Sequence, residues 1–387
     1  MERILDYLAD FTKGTCYKSY KYCFESVEVP SVVYDDKQNI SFSKDKSGET
    51  DKSLTTSKSL HDFAKKINQE GKPLFKFFLD GSRRTYKVDD IAYNNRLYPV
   101  VAGQIGVGCC VRENPDTFKN LILENYLALA LPECANKDSL PDDVFFNSLT
   151  SKINDLPVLK SRNFCFKKIL PYSDQKLKEG EKYEHKGIAK IQDEMIESEK
   201  RLVNQLVQER RLNFDSYLLK DGSLQYQKMQ TGDFKDLAAI KSNYRCVVGV
   251  SKSFNPELCR DRNNRSIAKN IADMKMYHRT PAYKYSTDRL PGVEFSVWYL
   301  RIREVSKTIS PFDGILKIEK ILVTEDEIEK GLDSDEIDLI SGNLINERNP
   351  TCYGADNRWA NHLYPVYLTE NYIKSKYLSD VYFLNLF

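Results

Sequence analysis

A long segment without proline or glycine occupies the middle of the chain, from Ile188 to Arg211. Its apolar residues recur at the spacing of one α-helical face, at Ile188, Ile191, Met195, Leu202 and Leu206. The interval between Met195 and Leu202 spans two helical turns, and its midpoint is Glu199. The sequence therefore predicts a long helix that carries a carboxylate within its apolar stripe.

Compact apolar runs typical of buried strands lie on both sides of this helix. They occupy residues 74–79, 97–112, 162–170, 214–220, 244–251, 293–303 and 314–323. The spacing of apolar residues predicts further helices at 59–70, 116–132, 143–153 and 369–378, and an acidic, solvated surface helix at 325–338. Strands and helices are thus mixed along the chain, which indicates an α/β fold.

The composition excludes several classes of protein. Lys and Arg total 58 against 56 Asp and Glu, a net charge of +2, so a uniformly basic nucleic-acid coat is excluded, whereas a local basic groove is not. No apolar stretch has the length of a membrane span, and the charged N-terminus lacks the pattern of a secretory signal. The nine Cys, an odd number without a Cys-x-x-Cys motif, indicate reduced thiols. We therefore expect a cytoplasmic protein that does not bind a membrane.

The same triplet, Asp-Gly-Ser, follows two of the predicted strands, at residues 80–82 and 221–223. An aspartate held at a strand end can face a cleft, and its oxygens suit Mg²⁺ or Mn²⁺. The glycine lets the chain turn and lets a phosphate backbone approach. Asp-Gly is also a favoured dipeptide of tight turns, so two purely structural turns are the alternative interpretation.

Three carboxylates, from Asp80, Glu199 and Asp221, would repel one another if they met without a cation. Two divalent ions about 3.5–4 Å apart would remove that repulsion and bind the attacking water and the leaving oxygen of a phosphodiester. We therefore expect two Mn²⁺ or Mg²⁺ ions and phosphodiester hydrolysis. Alternatively, Glu199 is solvated or salt-bridged, and Glu197 and Glu209 are the fallback positions for the acid on the same helix. The four His lack ligand spacing, which argues against zinc.

Basic residues near the triplets could bind a nucleic-acid backbone. Lys252 directly follows the predicted strand at 244–251, where it could neutralise a phosphate, and a plain surface lysine is the alternative. The arginines that could follow the backbone, or simply be solvated, are Arg83, Arg84, Arg260, Arg262 and Arg265. The sequence contains no P-loop motif, so ATP hydrolysis, if required, must come from a partner.

Polar residues surround a short apolar stretch between Trp359 and Asn371, which we interpret as a strand. The polar side chains of this segment are His362, Tyr364, Glu370 and Asn371. They could close the metal cleft. A packed C-terminal element with incidental polar residues is the alternative.

The order of these motifs resembles that of the NurA nuclease family, DNA-end-processing enzymes that work with HerA-type hexameric ATPases. The resemblance covers roughly residues 70–387. It begins with Phe78-Leu-Asp-Gly-Ser82, a helix that carries an acid, and Leu219-Lys-Asp-Gly-Ser-Leu224. It continues with Val248-Gly-Val-Ser-Lys252, Trp298-Tyr-Leu-Arg-Ile-Arg303 with Lys317-Ile-Glu319, and Leu363-Tyr-Pro365.

The resemblance implies an RNase H-like core, in which helices flank a mixed sheet, and Mn²⁺-dependent endo- and exonuclease activity on DNA. It also implies a homodimer that docks onto a HerA-type ATPase. By the same resemblance, Asp80, Asp221 and Glu199 would bind metal, with Lys252 and Tyr364 in the active site. The family usually has a His after Tyr-Pro. This chain has none after His362, so His362 or Asn371 would replace it, and Asn371 is the expected metal ligand.

The resemblance divides the chain into an N-terminal extension, residues 1–70, and a nuclease domain, residues 71–387. The extension has no counterpart in the family, and we expect it to be a partner-docking element. The resemblance implies a setting in DNA-end processing or, by analogy, in a bacterial antiphage defence pair. The alternative function is a catalytically decayed scaffold or a DNA-binding subunit of such a complex. An RNA-guided nuclease of the Argonaute type is disfavoured because nothing marks a pocket for the end of a guide.

Overall fold

The computed structural model describes residues 4–17, 21–24, 40–137, 140–225, 238, 241–261, 263–287, 292–308, 310–348 and 359–387. Within these residues, the chain forms a large mixed sheet with helices on both faces, as expected for an α/β protein. The described residues include no helix with the length and apolar character needed to cross a bilayer.

Fourteen strands of the described residues join in one sheet. They are β1 (Thr15–Tyr17), β2 (Tyr22–Cys23), β3 (Ile40–Ser47), β4 (Lys58–Ser59), β5 (Phe75–Tyr93), β6 (Arg96–Asn114), β7 (Thr117–Pro132), β8 (Phe166–Tyr172), β9 (Tyr217–Asp221), β10 (Val247–Ser251), β11 (His278–Arg279), β12 (Tyr283–Thr287), β13 (Glu294–Arg301) and β14 (Ile315–Ile321). The main order is β3-β12-β13-β14-β10-β9-β5-β6-β7-β8. The short β9 lies at the centre, parallel to both β5 and β10.

Helices pack on both faces of this sheet. They are α1 (Ile4–Thr12), α2 (His61–Glu70), α3 (Asp142–Asn154), α4 (Pro157–Lys160), α5 (Tyr183–Gln208), α6 (Ala268–Ala272), α7 (Glu325–Lys330), α8 (Ser334–Asn346), α9 (Tyr364–Lys374) and α10 (Asp380–Leu384). The long helix α5 packs against β5, β6, β7 and β8, whereas α9 packs against β5, β6 and β7. The two helices therefore share the same central strands.

Successive side chains of β5 belong to two different hydrophobic cores. Phe77 and Leu79 belong to the core that includes Ile191 of α5. Phe78, between them in sequence, belongs to a second core with Leu219 of β9. Because neighbouring side chains of a strand point to opposite faces, the two cores lie on opposite sides of the sheet.

The described parts of the N-terminal extension join the same sheet. Strands β1 and β2 pair with β5, β3 pairs with β12, and helix α2 packs against α8. The role of this region as a partner-docking element stays a prediction.

The segment at residues 116–132, predicted as a helix, is instead the strand β7. Its apolar run from Leu127 to Leu131 is buried, and a continuous apolar run fits a strand as well as a helix. Strand β7 pairs with β6 along one edge and with β8 along the other, so its backbone groups find partners in the sheet. The tertiary partners therefore decide the conformation.

Two other predictions also need correction. The acidic segment 325–338 forms two helices, α7 and the start of α8, and α8 is not a solvated surface helix because Ile337, Ile340 and Leu344 are buried. The first Asp-Gly-Ser triplet is not a turn, because Asp80, Gly81 and Ser82 pair with Gly108, Val107 and Gly106 in the middle of β5 and β6. The second triplet does end its strand, and Gly222 has φ +82°.

Candidate metal centre

Two parallel strands bring Asp80 and Asp221 together. In the pairing of β5 with β9, Leu79 lies opposite Lys220, and the aspartates are the next residue of each strand. Side chains alternate along a strand, so both aspartates point to the face opposite Leu79 and Lys220. This is the face covered by α9, because a Cβ on Gly108, the partner of Asp80 in β6, would lie 2.9 Å from Ile373 of that helix.

Glu370 of α9 adds a third carboxylate. One oxygen from each of Asp80, Asp221 and Glu370 lies within 4.8 Å of the other two. The helix is seated on the sheet by Val366, Thr369 and Ile373, which are buried. Glu370 lies one helical turn after Val366, so it shares the face that meets the strands.

Lys252 places an ammonium among these carboxylates. Its Nζ lies 2.9 Å from Asp221 Oδ2 and 3.5 Å from Glu370 Oε2, and the residue is 5% exposed. Its backbone is fixed, because Asn361 Nδ2 donates a 2.6 Å hydrogen bond to the Lys252 carbonyl. Lys374 forms a further ion pair with Glu370 at 2.6 Å.

The charges at this site perturb one another strongly. Burial raises the pKa of Asp80 well above its usual range, and the nearby carboxylates of Asp221 and Glu370 raise it further. Burial alone would lower the pKa of Lys252, but the charges of Asp221, Glu370 and Asp80 outweigh it and raise that pKa. Asp80 is 5% exposed, and its carboxylate makes no hydrogen bond or ion pair with the described part of the chain.

Glu199 lies on the opposite face of the sheet from this cluster. It packs against Gly81, where a Cβ would collide with its carboxylate, and it forms a 3.0 Å ion pair with Lys220. Burial raises the pKa of Glu199, and Lys220 partly offsets that effect. Glu199 is therefore salt-bridged, as in the alternative interpretation. It is not a member of the cluster of Asp80, Asp221 and Glu370, although it was expected to be a metal ligand. Lys220 also donates a 2.8 Å hydrogen bond to the carbonyl of Asp221.

The C-terminal segment is helical rather than a strand, because α9 begins at Tyr364. Asn371, the expected last metal ligand, is exposed, and its amide donates to the Tyr367 carbonyl. The neighbouring Glu370 reaches the cluster instead, because consecutive residues of a helix point in directions about 100° apart. His362 is buried against the ring of Tyr367.

Tyr364 lies at a different cavity, of about 220 Å³, where its ring meets Phe118 edge to face. Arg112 and Glu347 also line this cavity, and they form a buried ion pair. The other acids considered on the long helix lie away from the site. Glu197 is paired with Lys200, and Glu209, just after α5, is paired with Arg211.

The predicted nucleic-acid-binding arginines point in different directions. Arg83 bonds Gln192 of α5 at 2.5 Å, on the face away from the cluster. Arg84 pairs with Asp380 at 3.2 Å and lies over the ring of Tyr377. Arg260 is half-buried in a short loop, and Arg262 lies outside the described residues. Of the predicted basic residues that the structure describes, Lys252 is the one that ion-pairs with the carboxylate cluster.

A buried acid that the sequence analysis left without a role fixes the loop after the second triplet. Glu319 accepts hydrogen bonds from Ser223 Oγ at 2.8 Å and from the backbone N–H of Leu224 at 2.9 Å. Lys317 pairs with Glu319 at 3.1 Å, and these contacts lower the pKa of Glu319 despite its burial. The spacing Lys-Ile-Glu on a predicted strand was the available signal for this pair.

The donor set fits a divalent cation with a preference for oxygen. Two ligands at about 2.1 Å from a Mg²⁺ ion can be at most about 4.2 Å apart, so side-chain oxygens within 4.8 Å need only small rotations to bind one ion. The buried carboxylate of Asp80 requires a cation or a proton to be stable there. Asp80, Asp221 and Glu370 would therefore hold a Mn²⁺ or Mg²⁺ ion.

No protein-family model matches this sequence, and a search of curated proteins finds no similar sequence.

Substituting Gly81 by alanine should destabilise the protein through Glu199. The added methyl group would collide with the carboxylate, and crowding a packed interior typically costs about 1–3 kcal/mol in the free energy of unfolding. Urea denaturation of Gly81→Ala measures this cost, and the same substitution in a Glu199→Ala background is the control. We expect a smaller cost in that background, where the obstacle is gone. Equal costs in both backgrounds would show that Glu199 is not the obstacle.

Proposed function

We propose that this protein is a divalent-metal-dependent nuclease that hydrolyses phosphodiester bonds of DNA. The observation that carries the proposal is the meeting of Asp80, Asp221 and Glu370 around one point, with the buried Lys252 beside them. The three acids come from two strands and a helix that are far apart in sequence. A group of like charges that is buried or half-buried costs stability, so its presence favours a functional site.

Each residue of the site has a role in this chemistry. A divalent ion supplies Lewis-acid polarisation of a phosphoryl oxygen and a water of lowered pKa. Asp80 and Asp221 would hold that ion from rigid strands, and Glu370 would hold it from α9. Lys252 donates hydrogen bonds from a fixed position and neutralises charge that develops on the phosphate. The glycines beside the site, Gly108 in particular, leave room for α9 to lie close to the strands.

The wider setting of the proposal rests on the sequence resemblance. The mixed sheet with flanking helices is compatible with an RNase H-like core of the NurA type. We propose, on that resemblance, a cytoplasmic homodimer that acts with a HerA-type hexameric ATPase, in DNA-end processing or antiphage defence. The absence of a P-loop from the sequence is consistent with a separate ATPase.

One observation favours a second candidate function, a non-catalytic scaffold or DNA-binding subunit. Lys252 already pairs with Asp221 and Glu370, so part of the negative charge is balanced without any metal. Under this alternative, divalent ions would neither bind tightly nor stabilise the fold. Binding of Mn²⁺ to the native protein therefore distinguishes the two candidates.

A cleavage assay tests the proposed function. The full chain is incubated with linear double-stranded and single-stranded DNA in Mn²⁺, in Mg²⁺ or in EDTA, with and without a ring ATPase. We expect cleavage with a divalent ion and none in EDTA. Asp215→Asn is the matched control, because Asp215 is exposed and lies outside the cluster, and it should cleave like the wild type. Cleavage that persists in EDTA would exclude the metal mechanism.

A further inference from the structure

We propose that this site uses one divalent ion and that Lys252 takes the place of a second one. The inference rests on the proposed function and specifies its cofactor and the way it binds a phosphodiester. It replaces the two ions expected from the sequence. In this arrangement, Asp80, Asp221 and Glu370 would hold the ion, and the ammonium of Lys252 would donate a hydrogen bond to an oxygen of the scissile phosphate.

The charge of the site favours a single ion. Among the buried and half-buried groups, three ionised carboxylates and the ammonium of Lys252 leave two negative charges, which one divalent ion balances. The ammonium of Lys374, which also pairs with Glu370, belongs to a side chain that is 45% exposed, so water screens its charge. A second divalent ion would leave the centre with two excess positive charges before substrate arrived. Such an excess is costly where the groups are largely removed from water.

The contacts of the three carboxylates indicate which of them are available to bind that ion. Asp221 Oδ2 and Glu370 Oε2 face the ammonium of Lys252, at 2.9 and 3.5 Å. Asp80 is nine-tenths buried and makes no hydrogen bond or ion pair with the described residues, although its carboxylate is aimed at the same point. Asp80 would therefore offer the ion a carboxylate that Lys252 does not already contact, whereas Lys252 occupies the side of Asp221 and Glu370.

Hydrogen bonds and burial hold Lys252 in this position. Its carbonyl accepts a 2.6 Å hydrogen bond from Asn361 Nδ2, which also donates to the carbonyl of Ile315. Asn361 Oδ1 accepts from the backbone N–H of Gly314, so the amide ties Lys252 to the strand β14. The side chain of Lys252 is 3% exposed, so few other rotamers are open to it.

The ammonium of Lys252 lies beside two of the carboxylates that would hold the ion. In two-metal sites, the second ion lies about 3.5–4 Å from the first. Lys252 contacts two of the three acids that would hold an ion, which puts it in that neighbourhood. An ammonium offers hydrogen bonds rather than coordination, so it binds a phosphate oxygen without displacing a ligand of the ion.

The number of Mn²⁺ ions bound by the full-length chain tests this inference without measuring cleavage. Electron paramagnetic resonance reports free Mn²⁺ during a titration of metal-free protein. We expect one tightly bound ion per chain. Two bound ions in a protein that cleaves DNA would overturn the inference and leave the nuclease proposal standing. No bound ion would instead refute the nuclease proposal itself.

Variants of Lys252 test its part in the centre. Removing its positive charge in Lys252→Met should tighten Mn²⁺ binding about 10-fold or more, because the ion no longer meets a neighbouring cation. The same variant should lose cleavage by at least about 100-fold. Lys252→Arg keeps the charge and is the matched control, with Mn²⁺ affinity close to that of the wild type. Unchanged or weaker Mn²⁺ binding by a folded Lys252→Met would place the lysine outside the centre and overturn the inference.

Discussion

Asp80→Asn should abolish metal-dependent cleavage and, in the absence of metal, stabilise the protein. Loss of a group that only supports a ligand typically costs about 10–100-fold in metal affinity or activity, so loss of a ligand should cost more than about 100-fold. The stabilisation follows because Asp80 is buried beside two other carboxylates and has no hydrogen-bond donor among the described residues. An amide removes that repulsion.

The raised pKa of Asp80 also predicts how the stability of the metal-free protein changes with pH. The pKa of Asp80 is raised above its ordinary value of 3.8, so the native state holds a proton that the unfolded state has released. The free energy of unfolding of the metal-free protein should therefore fall as the pH rises from about 3.8 through the raised pKa. Asp80→Asn should lose this part of the pH dependence.

Thermal unfolding with and without Mn²⁺, at several pH values, measures both effects. The wild type should gain thermal stability from Mn²⁺, and Asp80→Asn should not. Asp215→Asn should behave like the wild type, since Asp215 is exposed. A variant at Asp80 that still cleaves DNA and still gains stability from Mn²⁺ would remove Asp80 from the centre.

Glu199→Met should destabilise the fold strongly and leave Mn²⁺ affinity nearly unchanged. The substitution removes the carboxylate that lies 3.0 Å from the ammonium of Lys220, a residue that is 4% exposed. Removing one partner of a buried pair typically costs about 3–5 kcal/mol. Urea denaturation measures this cost, and a double variant, Glu199→Met with Lys220→Met, is the control. It should recover most of the loss because both charges of the buried ion pair are removed together.

The Mn²⁺ affinity of the folded double variant then shows whether Glu199 has a structural role or the role of a metal ligand that the resemblance implies. Glu199 lies on the other face of the sheet, and its partner Lys220 is linked to the cluster by a hydrogen bond to the Asp221 carbonyl. We expect the folded double variant to bind Mn²⁺ within a few-fold of the wild type. A loss of Mn²⁺ affinity beyond about 100-fold would restore Glu199 as a ligand.

Several parts of the fold could be predicted from local patterns. The helix α5 and the strands β6, β9, β10, β13 and β14 were confirmed with shifted ends, because long periodic segments and buried apolar runs have distinctive spacing. Strand β7 was mistaken for a helix because its apolar run fits both periods. Only its pairing with β6 and β8 decides between them.

The candidate site was partly predictable. Asp80 and Asp221 were recognised because each follows a buried apolar run, and they do meet. Glu370 was among the polar residues expected to close the cleft, but Asn371 was the expected ligand, and the choice between them depends on how α9 is rotated against the strands. A rotation of about 100° exchanges the two side chains, and it is set by contacts such as that of Ile373 with Gly108.

By itself, the sequence determined the secondary structure of its strongly periodic segments and the two aspartates that end up side by side. These are local properties, because they depend on apolar residues that recur every two residues in a strand and every three to four residues in a helix. The tertiary structure alone decided which acids share a face. The register of β5 with β9 puts Asp80 and Asp221 above the sheet and Lys220 with Glu199 below it, and a shift by one residue would exchange the faces. Register depends on strand pairing between distant parts of the chain, which no local spacing specifies.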